Sequence, residues 1–442
     1  MKLFWLKPSL RKISDLFAIL SICLAVNIAQ AFPPVDAVEK KWYSGIKVDG
    51  SLQTTLGIDE PNVGSIFASK DTRSQVDFST RRFNALLRVR QPGKFLALFD
   101  GMLENDQDTG QDLHQGLVNQ LYLAYDVTDV LRVRVGKQRT LWGHGFAYIP
   151  TDFINPPLDP TALNLIRPGV KAISFDYSFS KFTLSGILTK DSGKVIGGEG
   201  LKLTSSAISG LDFYLIYYHS DIVGHAGGAS FAVDPSVIWF PKWPSFVIYG
   251  SLGINEKSRY PEVLNATYTV NGSNLYYPAV GPTGKTGPYL SFLAAMSYEF
   301  VKARLSLSAE YYYIGDAYPP GDRDKIMNAL SSPNIYVSQP SSLWLNNLTA
   351  FGRNQQQYLS LSLSHRSVTE GVNHFLDTFG YELGLLQGLN DSSNFMTAAI
   401  KSNYWSNTEI TLRSFQPFGN SKSEFGSMPF NWNLQLLVKV GF

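Results

Sequence analysis

The chain has 442 residues, of which 13% are aromatic and 17% charged, and its formal charge at pH 7 is +2. A charge this close to zero excludes the bulk basicity that nucleic-acid binding requires. The one cysteine, Cys23, lies in the first 31 residues, so the rest of the chain excludes disulfides, thiolate nucleophiles and cysteine metal sites.

The N-terminus predicts a signal peptide over residues 1–31. Its apolar core, Leu16–Val26, is too short to cross a bilayer, which takes about 20 residues. Four basic residues precede this core and a small-x-small cleavage site follows it: Lys2, Lys7, Arg11 and Lys12, then Ala29-Gln30-Ala31. Removal of residues 1–31 takes away these four positive charges and the negative charge of Asp15, so the formal charge falls from +2 to −1. Residues 32–442 are then expected to form one domain.

From residue 46 onward, apolar and polar residues alternate with a period of two, which is typical of strands with one apolar and one polar face. Short and long connections also alternate, as in barrels with short periplasmic turns and long outer loops. We expect an all-β fold, a transmembrane antiparallel up-and-down barrel of about 18 strands, with 16 to 20 left open and Pro235 interrupting strand ten. Ten strands are predicted directly, five before residue 139, one at 355–365 and four after residue 377: 46–58, 82–90, 95–104, 117–126, 130–138, 355–365, 378–388, 394–403, 408–415 and 429–442. The other eight strands are predicted as four pairs, which meet at turns over 179–181, 208–210, 241–244 and 300–302.

The last strand, 429–442, carries this pattern most clearly. Every even position is apolar and the chain ends on a bare aromatic, Phe442. The alternative is an edge strand of a soluble β-sandwich. The strand resembles the C-terminal signal read by the bacterial outer-membrane assembly machinery. That resemblance implies the assembly machinery as a partner and the outer membrane of a Gram-negative cell as the location.

Strand parity assigns the side chains that face the lumen. The predicted pore-lining residues are Arg82, Arg88, Arg90, Asp100, Glu104, Arg132, Arg134 and Gln138. Arg304 and Glu310 are expected to face inward further along the chain. One interpretation is an arginine track for anionic or hydroxylated solutes. The other is a salt-bridged wall that holds a wet barrel open, because neighbouring acids nearly balance the arginines.

The segment 139–168 is long, apolar and rich in proline, and it is expected to fold inward and narrow the lumen. Its sequence contains Gly136-Lys137-Gln138, Trp142-Gly143-His144-Gly145, Thr151-Asp152-Phe153-Ile154-Asn155-Pro156 and Arg167-Pro168-Gly169-Val170. This order resembles a poorly characterised group of bacterial outer-membrane porin-like barrels; alginate-export-type barrels are a looser likeness. The resemblance implies transport across the outer membrane. The predicted constriction residues are Arg139, Trp142, Asp152, Asn155 and Arg167.

The alternative for the same segment is a folding clamp, with Arg139 paired to Asp152 and Trp142 packed against the wall.

Enzymatic motifs are weak. His219 and Ser220 are adjacent on a strand and therefore point to opposite faces, which opposes a barrel hydrolase. Asp106, Asp108 and Asp112 offer oxygen ligands for calcium but lack the spacing of an EF-hand. We predict no enzyme activity, no cofactor and no metal site.

The sequence therefore predicts an outer-membrane channel for passive passage of small polar or anionic solutes. A substrate-specific export or uptake barrel, for an acidic polysaccharide or a hydrophobic compound, is the alternative, and a barrel hydrolase is a further one. Expected partners are outer-membrane lipid, lipopolysaccharide and the solute, without nucleic acid. Homotrimer and monomer both stay open.

Overall fold

The computed structural model describes residues 47–62, 77–91, 94–106, 113–155, 169–190, 197–238, 246–282, 284–341, 344, 354–367, 378–402, 407–428 and 430–441. The predicted signal peptide, the predicted calcium ligands Asp108 and Asp112, and the turn over 368–377 lie outside these residues. They stay predictions.

Within the described ranges, eighteen strands form one closed antiparallel barrel. Each strand pairs with the next along the chain, and β1 pairs with both β2 and β20, which closes the sheet. The predicted number of barrel strands is confirmed. The strands are β1 (Lys47–Pro61), β2 (Asp77–Gln91), β3 (Phe95–Asp106), β4 (Leu113–Thr128), β5 (Leu131–Gln138), β6 (Val170–Phe179), β7 (Phe182–Thr189), β8 (Gly198–Ile208), β9 (Leu211–Ser220), β10 (Gly224–Val233), β11 (Phe246–Lys257), β14 (Thr286–Phe300), β15 (Leu305–Tyr313), β16 (Gln357–His365), β17 (Phe379–Gly388), β18 (Asn394–Ser402), β19 (Thr408–Phe418) and β20 (Phe430–Gly441).

Two further strands, three α-helices and a short 3-10 helix (Val301–Ala303) lie in the described parts of the connections. The loop after β11 holds a separate hairpin, β12 (Val263–Val270) and β13 (Ser273–Val280). Helix α1 (Pro235–Ile238) follows β10, and α2 (Pro320–Leu330) and α3 (Ile335–Ser341) follow β15. No helix in the described part of the chain is long and apolar enough to cross a membrane.

Three local expectations were wrong. Pro235 begins α1 instead of interrupting strand ten, because β10 has already ended at Val233. The connection before β10 is also shorter than expected, since Gly224 at φ 65° closes a tight turn and begins the strand. Arg304 lies in a left-handed turn conformation before β15 and not on the strand.

The outward face of the barrel is a belt of exposed apolar side chains. Leu123, the most exposed member on β4, has 64% of its surface accessible. Other members from several strands are Leu121, Val135, Ile173, Leu188, Leu215, Leu252, Met296, Leu383, Ile400 and Leu436. Apolar surface of this extent in contact with water is unfavourable, and the belt of a transmembrane barrel faces lipid instead.

The apolar even positions of β20 follow this outward face only in part. Leu436 is exposed on the outside, and the odd residue Asn433 is buried inside. The pairing of β1 with β20 shifts between Glu60 and Pro61, where Pro61 lies opposite Phe430. This irregularity turns Phe430 towards the buried loops, where it packs against an apolar cluster.

The buried apolar residues lie inside the barrel and in its extracellular loops. One cluster surrounds Trp142, Phe153, Ile154 and Tyr218. A second surrounds Tyr148, Tyr260, Tyr318, Trp344 and Phe425, which come from the inward segment and from loops after three different strands. The barrel therefore holds folded chain within it.

Candidate functional site

The periplasmic half of the lumen is lined by ion pairs. On β1 and β2, the carboxylate of Asp49 lies 2.8 Å from the Arg88 guanidinium and 3.8 Å from that of Arg90. These three residues lie near the start of β1 and the end of β2. Both arginine side chains stay about half exposed, at 46% and 53%. Arg88 lies directly opposite Asp49, and the shared ion pairs place Arg88 and Arg90 on the same face of the sheet as Asp49. Their role as pore-lining residues stays a prediction.

The next strands continue this lining. Arg132 on β5 binds Asp126 on β4 through two guanidinium nitrogens. Arg134 binds Asp176 on β6, and the Ser185 hydroxyl donates to the same carboxylate at 2.7 Å.

Four arginines thus face three carboxylates on this part of the wall, because Asp49 is shared: Arg88, Arg90, Arg132 and Arg134 against Asp49, Asp126 and Asp176. The local balance is weakly positive.

Other charges line the same half of the lumen further round. Lys401 on β18 lies 3.9 Å from Glu382 on β17 and 3.9 Å from Glu409 on β19. On β8, the Lys202 ammonium lies 5.2 Å from the ring centre of Tyr214, within the range of a cation–π contact. These residues were not among the predicted pore-lining residues, although the same parity rule gives the direction of their side chains when it is applied to every strand.

Two of the predicted pore-lining residues, Gln138 and Asp100, are buried by neighbouring polar groups, and their role in the pore stays a prediction. Gln138 is 1% exposed, because its side chain donates to the Ala172 carbonyl and accepts from the Ser174 hydroxyl. Asp100 is 3% exposed and accepts from Asn119 and Gln120, both at 3.4 Å. A register shift beside Asp100 brings these polar side chains together.

Arg82 and Glu104 are direct cross-strand partners in the pairing of β2 with β3. Their side chains lie outside the described part of the structure, as does Arg167. Their predicted roles stay predictions.

Residues 139–155 pass from β5 to β15 along the inner wall of the barrel, and we call this path the crossing. The segment leaves the end of β5, where Arg139 lies 3.7 Å from Asp100. Trp142 is 2% exposed and packs on the inner wall at Gly200, where a Cβ atom would lie 2.7 Å from the indole ring. At Gly253 on β11, a Cβ would lie 2.4 Å from the Pro150 carbonyl oxygen. Both positions require glycine because the segment lies directly on the wall.

Hydroxyl groups in the middle of β10 and β11 hold the segment. Ser230 and Ser251 are cross-strand partners. The main-chain nitrogen of His144 donates to the Ser230 hydroxyl at 2.8 Å, and the Ser251 hydroxyl donates to the His144 carbonyl at 3.0 Å. The His144 ring stacks on Tyr214 of β9, with centroids 4.5 Å apart. Burial lowers the pKa of His144, while the charges of Asp212 and Lys202 act on that pKa in opposite directions.

Glu310 on β15 anchors the far end of the crossing. Its carboxylate accepts from the main-chain nitrogens of Phe146 at 2.6 Å and Ala147 at 2.7 Å. It also accepts from the Tyr249 hydroxyl on β11 at 2.8 Å. Glu310 is itself 2% exposed. The segment therefore extends along the inner wall from β5 to β15. That it narrows the lumen stays a prediction.

Residues 151–155 fold back onto the start of the segment and are held there by the polar residues of the segment itself. The Asn155 amide donates to the Thr140 carbonyl and to both carboxylate oxygens of Asp152, at 2.8 and 3.0 Å. The Thr151 hydroxyl donates to the Trp142 carbonyl at 2.7 Å. Asp152 and Asn155 thus stabilise the shape of the segment. The expected packing of Trp142 against the wall is present, and the expected pairing of Arg139 with Asp152 stays a prediction.

Extracellular loops form a lid above the segment, made of residues 258–282, 284–285, 314–341, 344, 389–393 and 419–428. Arg259 and Asp316 are both buried and pair through two contacts, at 2.8 and 2.9 Å. Burial opposes the charged form of Asp316, but the Arg259 charge and its hydrogen bonds outweigh burial, so the pKa of Asp316 lies below its usual value. The Arg259 guanidinium also donates to the Tyr148 hydroxyl at 3.4 Å, which joins the lid to the segment.

A second buried group holds the lid to the wall. The Tyr358 hydroxyl on β16 lies 2.8 and 2.7 Å from the two carboxylate oxygens of Glu424. Burial raises the pKa of Glu424, and the Arg323 charge only partly offsets it. Arg323 lies 3.3 Å from Asp391 and donates to the Lys422 carbonyl at 3.1 Å.

Among the described residues, no group of three or more His, Cys, Asp or Glu side chains is placed to hold a metal ion. His219 and Ser220 lie next to each other on β9, where Ser220 is buried and its hydroxyl accepts from the Val223 main chain. His219 instead contacts His225 on the next strand, with ring centroids 4.6 Å apart.

Solved structures share this architecture. The chain is similar to Acinetobacter baumannii OccAB1, with a TM-score of 0.54 and 9% identity over 92% of this chain and 98% of that chain. It is also similar to Pseudomonas aeruginosa OccK8 (OprE), with a TM-score of 0.51 and 10% identity over 90% and 98% of the two chains. For Pseudomonas aeruginosa OprD the TM-score is 0.50 and the identity 8%, over 93% and 98%.

Neither a protein-family model nor a curated protein matches the sequence. At identities of 8 to 10%, the structural likeness establishes the fold alone. That fold is the 18-stranded barrel of outer-membrane porins. The motif group and the alginate-export likeness of the sequence analysis stay unconfirmed. A closed single-chain barrel with an apolar outer belt and polar residues inside has the construction of a bacterial outer-membrane protein, and that is where this chain is placed.

Proposed function

We propose that the barrel is an outer-membrane channel through which small polar solutes pass by diffusion, with a weak preference for anions. This proposal rests on the ion pairs of the periplasmic wall, in which four arginines face three carboxylates and the arginine side chains stay partly exposed. Hydrated, nearly balanced charges favour passage of polar solutes over tight binding of one ligand. On the part of the wall that carries Arg88, Arg132 and Arg134, the excess of one positive charge favours anions modestly.

The segment 139–155 limits the size of the solute. It is fixed at both ends of its crossing, by Asp100 near β5 and by Glu310 on β15. Hydrogen bonds from the wall also hold its middle at His144, so it acts as a rigid obstacle. Passage is therefore expected beside the segment, along the wall that carries the arginines.

The test is single-channel conductance of the purified, refolded protein in a planar bilayer under a salt gradient. Stable open steps with a small reversal potential of the anion-selective sign support the proposal. Folded and inserted protein that never conducts contradicts it.

A substrate-specific barrel is the second candidate, and the lid favours it. The lid has an apolar cluster and a buried ion pair of its own, which ordinary solvated loops lack. A lid of this kind suits a channel that opens for one class of solute. Conductance that appears only after a solute is added distinguishes this candidate from the general channel.

A further inference from the structure

Three lysines form a row on the outside of the barrel, at the extracellular ends of β5, β6 and β7. Lys137 and Lys171 are direct cross-strand partners. Lys190 follows β7 and continues the row, because its main-chain nitrogen donates to the Lys171 carbonyl at 3.0 Å. We call these residues the lysine row.

The lysine row belongs to the lipid-facing side. Ile173 and Leu188, each two residues further into the barrel wall than Lys171 and Lys190, are cross-strand partners and are more than half exposed. The residues between them face the lumen, as shown by the buried side chains of Ala172 and Gln138. Alternation along the strands therefore directs the lysines outward.

Like charges on directly paired strand positions repel each other and destabilise a sheet. The Lys137 ammonium donates to the main-chain oxygen of Val118, a neutral acceptor. No ion pair among the described residues includes a member of the lysine row. The row thus concentrates three positive charges that form no ion pair among the described residues, unlike the paired charges of the lumen. The carboxylate on the same face, Glu199, lies at the β8 edge of the row, opposite Leu188.

We propose that the lysine row binds the phosphate groups of an anionic glycolipid of the outer leaflet, of the lipid A type. Its acyl chains would lie on the apolar column directly below the row, formed by Leu121, Leu123, Val135, Ile173 and Leu188. Lysine ammonium groups bind phosphate well, and each basic residue beside an anionic lipid surface adds affinity. The site ends at β8, where Glu199 lies opposite Leu188 on the outer face. The proposal rests on the placement of the barrel in the outer membrane and not on what the lumen transports.

The test compares two triple variants of the full chain in lipid nanodiscs. The first changes the row, as Lys137→Gln, Lys171→Gln and Lys190→Gln. The matched control removes the same charge at the opposite end, as Lys94→Gln, Lys181→Gln and Lys302→Gln, in the turns beside β3, β7 and β15. Native mass spectrometry measures retained bisphosphorylated lipid A, with the dephosphorylated lipid of the same chains as the comparison.

We expect the row variant to retain at least about tenfold less bisphosphorylated lipid than the wild type, and the control to retain it normally. The single change Lys171→Gln gives a smaller loss in the same direction. The proposal is overturned if both triple variants lose the bisphosphorylated lipid equally, or if the wild type retains the dephosphorylated lipid as well as the bisphosphorylated one. It is also overturned if inorganic phosphate, at the concentration of the lipid, displaces the bisphosphorylated lipid. Single-channel conductance of the row variant stays at the wild-type value, so a failure here is distinguishable from a failure of the channel proposal.

Discussion

The two halves of the lumen use charge in different ways. In the periplasmic half, partners lie on neighbouring strands, as Arg132 and Asp126 do, and the arginine side chain stays 52% exposed. In the extracellular half, partners come from different loops, as Arg259 and Asp316 do, and their side chains are 7% and 0% exposed. The first half is a hydrated lining, and the second is folded protein placed across the mouth of the barrel.

Burial determines how much each kind of ion pair contributes to the free energy of unfolding. An exposed pair typically adds less than about 1 kcal/mol, whereas removing one partner of a buried pair costs about 3–5 kcal/mol. We therefore expect changes in the extracellular half to alter structure and changes in the periplasmic half to alter selectivity. The predictions below test that division.

The largest effect is expected from Asp316→Asn. The change leaves the Arg259 charge buried without its carboxylate, at a cost of about 3 kcal/mol or more. The lid loosens, so limited proteolysis of the extracellular loops accelerates in intact vesicles. The control is Asp322→Asn, which removes an exposed partner of Lys325 on α2. Equal proteolysis of both variants contradicts the prediction.

The same pair gives the lid a pH dependence. The pKa of folded Asp316 is below its usual value. The stability from this pair is therefore fully present above the unfolded carboxyl pKa, about 4, and is lost as the pH falls through the lower folded pKa. Proteolysis of the loops should stay slow from neutral pH to about pH 4 and rise only in stronger acid.

Glu310→Ala is expected to have the next largest effect. It removes the acceptor for two main-chain nitrogens of the segment and for the Tyr249 hydroxyl. Hydrogen bonds to a charged group contribute about 1.5–3 kcal/mol each, so the crossing is released at its far end. Single-channel conductance should rise or become noisy. Glu382→Ala, which removes an exposed acid near Lys401, should leave the conductance level nearly unchanged.

A smaller effect is expected from the double change Arg88→Ala and Arg134→Ala. Two positive charges leave the hydrated wall, and the anion-to-cation permeability ratio should fall roughly twofold while the conductance steps remain. The reversal potential under a salt gradient measures this ratio. Lys181→Ala with Lys302→Ala removes equal charge from the turns. An unchanged ratio in the arginine variant rules out selectivity by this wall.

The smallest effect is expected from Asp126→Asn. Its partner Arg132 is about half exposed, so the free energy of unfolding should change by less than about 1 kcal/mol. Urea titration of the refolded protein in detergent measures it. A loss above about 2 kcal/mol would mean that the periplasmic wall depends on its ion pairs for stability, contrary to the division drawn above.

The barrel was predictable because each strand carries its own signal. A lipid-facing strand needs an apolar residue at every second position, so the pattern of β20 or β16 is visible without its neighbours. The hairpin β12–β13 had a local signal too. Asn271-Gly272, at φ 51° and 80°, is a typical hairpin turn between alternating residues.

The contacts inside the barrel were not predictable in the same way. Proline and apolar residues predicted that the segment folds inward, but its anchors are far away in sequence: Ser230 binds His144, and Glu310 binds Phe146 across 164 residues. The inward direction of Glu310 follows from parity, whereas its partner depends on the path of the segment. Asp100 and Gln138 show the same limit, since parity gives the direction of a side chain and not what covers it.

The central claim is that solutes pass through the lumen beside the charged periplasmic wall. The most direct measurement is cysteine modification during single-channel recording, with Cys23→Ser as the background. A negatively charged methanethiosulfonate reagent is added to Arg132→Cys, to Ile154→Cys, which is buried in the segment, and to Leu123→Cys, which faces lipid. We predict a stepwise fall in conductance for Arg132→Cys alone. No change at Arg132→Cys, or an equal fall at Ile154→Cys, would contradict the claim.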